Sequence, residues 1–202
     1  MARHRVPKSI SPDVLDFCRG VVRDPHPVYV EVKAIRDARV NECFYNVLKQ
    51  VERSGGNVQY GWAIWLWPSV FIEAEFHAVW KDVDGRYLDV SAWEPAAERI
   101  LFLPDFDTTY TGQQRNNVRK AIADDNDVHD FISVADRIYE VTNRGDRAYK
   151  HGPVEIPAGE IVPLLNIKET LHHKLLGRYT KPNSLCPCGS GKKNKHCCRI
   201  YM

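Results

Sequence analysis

The sequence predicts an α+β fold: an antiparallel sheet of roughly three to five strands, one central helix, flanking helices, and a small zinc knuckle at the C-terminal end. Three observations lead there. Apolar residues recur at helical spacing in segments beginning at Ser11, Asn41 and Asp125. Between them, 58–67, 70–80 and 86–90 alternate or run aromatic in the manner of strands, broken by Pro68-Ser69 and Asp82-Val83-Asp84-Gly85. Finally, four cysteines crowd into 186–198.

A chain of 202 residues, 44% hydrophobic and 27% charged, suits one globular domain plus an appendage. The expected division is a globular domain over 1–177 with its core at 28–95, a linker over 178–185, and the knuckle over 186–202. The net charge of +2 is unevenly spread: Lys181, Lys192, Lys193, Lys195 and Arg199 meet no acid after residue 180. No apolar run is long enough for a membrane span. Met1-Ala2-Arg3-His4-Arg5-Val6-Pro7 leads into no apolar h-region, so a secretory signal is not expected. A cytoplasmic setting follows, where six cysteines call for metal binding or catalysis before disulfides.

Ser11 is expected to cap a first helix with Pro12 in its first turn, and Cys18 lies on its apolar face with Val14, Val21 and Val22. Val28 to Lys33 reads as a strand or as the lead-in to a helix. Asn41 is the expected cap of the second helix, which buries Phe44, Val47, Leu48 and Val51 and ends at Ser54-Gly55-Gly56. All five tryptophans fall between Trp62 and Trp93. Residues 100–112 give no periodicity and stay unassigned. A helix is expected over 116–123, another from the Asp125-Asn126-Asp127 cap to Gly145, a loop over 151–163, and a last helix over 164–176.

In the tail, Cys186, Cys188, Cys197 and Cys198 can close one tetrahedral Zn²⁺ site, with Gly189 and Gly191 easing the turns. So short a segment buries little, and structural zinc supplies folding free energy on the order of 10–16 kcal/mol to such peptides. Cys186-Pro187-Cys188-Gly189-Ser190-Gly191-Lys192-Lys193 followed by Cys197-Cys198 resembles the SEC-C motif found at the C-terminus of the SecA translocation ATPase. The resemblance implies those four cysteines as ligands of a structural Zn²⁺, with His196 as a substitute. It also implies a docking role toward a protein partner, which the surrounding lysines suit. Nucleic acid is not indicated.

In the core, Cys43 falls in the first turn of a helix, where the dipole and unpaired amides favour a thiolate. His77 on a strand is a candidate base, and Asp89, after a turn, a candidate to orient it. This order, with His77-Ala78-Val79-Trp80 and Tyr87-Leu88-Asp89-Val90-Ser91, resembles the transglutaminase-like branch of the papain-type superfamily and its relatives the arylamine N-acetyltransferases. The resemblance implies a nucleophilic Cys43, a base His77, an orienting Asp89, and acyl transfer or amide hydrolysis through a thioester. Glu75, sharing a strand face with His77, leaves open a Glu75–His77–Asp89 metal or acid–base cluster. The expected function is a bacterial or phage cysteine-dependent hydrolase or acyltransferase carrying a zinc tail. The alternative is a non-catalytic zinc adaptor that docks on a protein partner.

Overall fold

The computed structural model describes residues 5–94, 96–150, 152–186 and 190–201, so the expected ligand Cys188 lies outside the described residues. Its centre is a barrel rather than the expected antiparallel sheet around a central helix. Strands β1 (Val28–Val32), β2 (Asn57–Trp67), β3 (Phe71–Lys81), β4 (Tyr87–Asp89) and β5 (Arg99–Pro104) run in the order β2-β5-β1-β4-β3, and β3 pairs back onto β2. Closure follows from the long β2–β3 ribbon, which pairs continuously from Asn57↔Lys81 to Trp67↔Phe71. A ribbon of that length twists strongly, and curling shut disposes of its edges. β1 enters between β4 and β5, antiparallel to β5 and parallel to β4.

The barrel interior holds Val30, Ala63, Val79, Ile100 and Phe102, with Trp65, Tyr87 and Trp93 at their margin. The alternate residues face outward, under helices. α1 (Pro12–Val21) places Val14, Phe17 and Cys18 on Trp62, Ile64, Ala74 and Leu101, and its cap is Ser11, as expected. α2 (Cys43–Ser54) lays Val47 and Val51 over Ala78, Val90 and Trp80. The expected central helix is therefore a helix on the barrel's outer wall.

Several local expectations need correction. α2 begins at Cys43 with Glu42 as its N-cap, because Asn41 takes a left-handed φ of 61°. Residues 118–121 form a strand, β6 (Val118–Ala121), paired with Phe71–Ala74, where a helix was expected. What holds β6 there is a buried ion pair, Arg119 Nε to Glu73 Oε1 at 2.7 Å, with the same guanidinium reaching Asp136 at 2.9 Å. Such a long-range pair leaves no trace in local periodicity. The unassigned segment supplies β5. α3 (Asn126–Thr142) starts at the expected Asp125 cap, and α4 (Ala158–Tyr179) starts ahead of Pro163, in the expected loop. Burial of Leu164, Leu171, Leu175 and Leu176 against Trp67, Phe71 and Phe131 outweighs the hydrogen bond that Pro163 deletes. No helix among the described residues is long and apolar enough to cross a membrane.

The cysteine tail packs on α4. Asn194, fully buried, donates its amide to the carbonyls of Gly177 (3.0 Å) and Thr180 (2.8 Å). A Cβ at Gly177 would stand 2.6 Å from the Cys198 carbonyl oxygen, so the close approach requires glycine there. Cys186 and Cys198 belong to the same buried cluster as Trp67 and Leu175.

Gly61 pairs with His77 across β2 and β3, and an added Cβ would meet the Leu103 carbonyl at 2.3 Å and the Phe102 ring at 2.6 Å. Gly61→Ala is therefore expected to lower stability by about 2–3 kcal/mol, as overpacking does. A urea transition at unchanged midpoint would show that the barrel wall yields freely here.

Candidate functional site

β3 carries His77 on the same face as the interior residue Val79, and the imidazole is almost wholly buried. β4 pairs with β3 only at Trp80 and Lys81, and β6 only from Phe71 to Ala74. The β3 edge between Glu75 and Val79 thus lies between its two neighbours. The chain leading into α2 follows the continuation of β4, with the Ile35 N–H bonded to the Val90 carbonyl and Val40 bridging Ala92. Asn46, fully buried, fixes that lead-in by pairing its amide with both the N–H (2.9 Å) and the carbonyl (2.8 Å) of Arg39. The first turn of α2, with Cys43 half-buried, is delivered beside His77 in this way.

Asp89 has no exposed surface. Its Oδ2 accepts from His77 Nε2 at 3.1 Å and from the Trp93 indole at 2.7 Å, and its Oδ1 accepts from the Ser91 N–H at 2.9 Å. Burial works to keep this carboxyl neutral, but the His77 charge and these hydrogen bonds outweigh it and hold Asp89 below the usual carboxylate range. For His77, burial likewise opposes charge. The Asp89 carboxylate, then Cys43, prevail through charge and hydrogen bonding, and they hold the imidazole well above its usual range. With Nε2 committed to Asp89, Nδ1 is the nitrogen left for the thiol. Cys43, His77 and Asp89 are thus together in space.

The other acids on the His77 face are engaged elsewhere. Glu75 accepts the Trp65 indole N–H at 2.8 Å, and Glu73 binds Arg119 and Asn117. Among the described residues, no set that includes Glu75, His77 and Asp89 brings its ligand atoms within metal-binding reach, so that expectation is not met. Cys18 is fully buried under α1, and burial pushes its thiol up to about 11.

Sequence reasoning missed two contributors. Trp93 was one aromatic among many, and its hydrogen bond to Asp89 depends on a chain reversal after β4. Tyr110 lies in the segment between β5 and β6 and stacks on Phe44 at 3.8 Å, and burial first, with Cys43 and Glu42 nearby, holds its phenol above the usual range. That segment has no periodicity to place it.

The second site is the tail. The sulfurs of Cys186, Cys197 and Cys198 lie within 4.8 Å of one another, with Cys186 and Cys198 buried. Three thiols so close together, two of them buried, form a donor set that can hold a metal ion. Zn²⁺ fits their softness, and a fourth ligand would complete a tetrahedron. His196, the expected substitute, is exposed and is not a member of this group. No protein-family model matches the chain, and none of the curated proteins or solved structures compared with it matches either. The SEC-C and transglutaminase-like resemblances accordingly rest on their motifs alone.

The charges of the His77–Asp89 pair give a signed pH dependence. The raised His77 contributes stability that is complete below about pH 6.5, the free imidazole value, and is lost as pH rises through its folded value. The lowered Asp89 contributes stability present above about pH 3.9, the free carboxyl value, and lost as pH falls through its folded value. Asp89→Asn should bring the His77 titration down, read from its ring-proton NMR shifts. A His77 titration indifferent to that substitution would mean the pair is not coupled.

Proposed function

We propose that this protein is a cysteine-dependent hydrolase or acyltransferase that works through a thioester on Cys43, with a structural zinc in a SEC-C-like tail. The observation that supports it most is the His77 imidazole, flanked by the Asp89 carboxylate on one side and the Cys43 thiol on the other. An imidazole raised in this way can take the thiol proton, leaving a thiolate–imidazolium pair.

In the reaction this supports, the thiolate attacks the acyl carbon, a C–S bond forms, and the carbonyl electron pair moves onto oxygen. The orphan N–H groups of the first turn of α2 are suited to receive that oxyanion, since Glu42 makes no side-chain cap there. As the oxyanion collapses, the C–N bond breaks and the imidazolium gives its proton to the departing amine. Water, or an acceptor amine, then attacks the thioester while His77 takes its proton. The C–S bond breaks and the thiolate returns. Asp89 keeps the imidazole oriented throughout.

The tail's part in this proposal is attachment. Lys192, Lys193 and Lys195 are exposed, as are Leu185 and Ile200, a combination suited to an acidic protein partner with an apolar contact. The same surface supports the alternative, a zinc adaptor without catalysis.

Two measurements discriminate. Iodoacetamide at neutral pH should alkylate Cys43 well before Cys18, and His77→Asn should slow Cys43 by roughly 10²–10⁴-fold, the range of a lost general base. p-Nitrophenyl acetate should leave one acetyl group on Cys43, found by peptide mass spectrometry and absent in Cys43→Ala. Equal sluggishness of Cys43 and Cys18 would leave the adaptor.

A further inference from the structure

Within the tail, Ser190 Oγ lies 3.1 Å from the Cys197 sulfur and the Cys186 thiol faces Asn194 Oδ1 at 3.7 Å, but another side chain reaches the cluster from the body of the protein. His173, on α4, places its Nδ1 3.1 Å from the Cys198 sulfur. Its other nitrogen, Nε2, faces the Glu169 carboxylate 3.8 Å away, one helical turn earlier. The sulfurs of Cys186, Cys197 and Cys198 share a single region within 4.8 Å, and His173 is not a member of that group. The imidazole therefore contacts one sulfur from outside the set that would surround a metal.

The surroundings keep this contact in place. Gly177 lies one turn beyond His173 on the same face of α4, where its missing side chain lets the Cys198 backbone close in. Asn194 clasps the same end of the helix through the Gly177 and Thr180 carbonyls. Cys198 is fully buried, so a thiolate there has no water to hydrogen-bond. A metal-bound thiolate carries excess negative charge, and N–H donors from outside the ligand set disperse it and orient the sulfur.

We propose that His173 is the outer positioning residue of the metal centre: its Nδ1–H donates to the Cys198 thiolate and couples the metal to α4. This rests on the assignment of the tail as a zinc site. It makes the centre a joint product of the knuckle and the globular body rather than of the tail peptide alone.

The test uses the full chain. Purified wild type, His173→Ala, His173→Asn and His196→Gln are loaded with Co²⁺ in place of zinc, and Zn²⁺ affinity is measured by chelator competition. Folding of each is checked by circular dichroism. His173→Ala should weaken Zn²⁺ binding by about 10- to 100-fold, the usual effect of losing an outer partner. Its thiolate-to-Co²⁺ charge-transfer band should move to lower energy, because the sulfur loses a hydrogen bond, while the tetrahedral d–d envelope stays. His173→Asn, which keeps an N–H donor, should restore most of both. His196→Gln should match wild type. Unchanged affinity and band position in His173→Ala would overturn the proposal, and so would a changed d–d envelope, which would make His173 a ligand. If wild type binds neither metal, the zinc assignment itself falls.

Discussion

A carboxylate with no access to solvent is the constraint around which this structure is arranged. Asp89 is buried in the barrel wall, and a buried charge without partners would be forced to protonate or would unfold its surroundings. Three donors prevent that, and each comes with a structural consequence. The Ser91 N–H turns the chain immediately after β4. The Trp93 indole is held against the barrel interior, where the ring meets Trp65 edge-on at 5.0 Å. The His77 imidazole commits one nitrogen and leaves the other for Cys43. The same group that specifies the local chain path thus also sets the orientation and charge of the imidazole.

Geometry at the site depends on where two strands stop. β4 and β6 each pair with one end of β3, and the stretch bearing His77 belongs to neither pairing. A continuous neighbour along β3 would have occupied that edge with ladder hydrogen bonds, and the helix start bearing Cys43 would have had no approach. Short strands beside a long one are what leave this edge open to the start of α2. Asn46 then does for the loop before α2 what Ser91 does after β4, holding irregular backbone through hydrogen bonds that need no repeating pattern.

Much of this was legible in the residues. The α1 cap at Ser11-Pro12, the α3 cap at Asp125, the paired ribbon about Pro68-Ser69, and the cysteine spacing of the tail are all local signals, decided within a few positions of one another. Cys43, His77 and Asp89 stood out because their types and order suit one chemistry. Barrel closure was illegible, because nothing within Val28–Val32 says that it will lie between two strands made much later. β6 looks helical in the sequence since Val118–Ala121 is too short to show a period, and its pairing is decided by Glu73 from far away in the chain. Asn41 failed as a cap for a similar reason. Cap preference is a weak local energy, and the fastening of Arg39 by Asn46 overrides it. His173 looked like an ordinary helical residue until the tail folded back upon it.

The position of β1 bears on how the chain acquires its shape during synthesis. β1 leaves the ribosome before either strand that flanks it, and its inner neighbour β5 ends only at Pro104. The ribbon of β2 and β3 can form at once from adjacent sequence, but the barrel waits for a strand from the beginning of the chain to be captured between two from its middle. During that interval Val30 and the aromatic faces of the ribbon are uncovered, the condition under which nascent chains attract chaperones or one another. Growth at lower temperature, or slower elongation across residues 87–104, would accordingly be the natural levers for the yield of native protein.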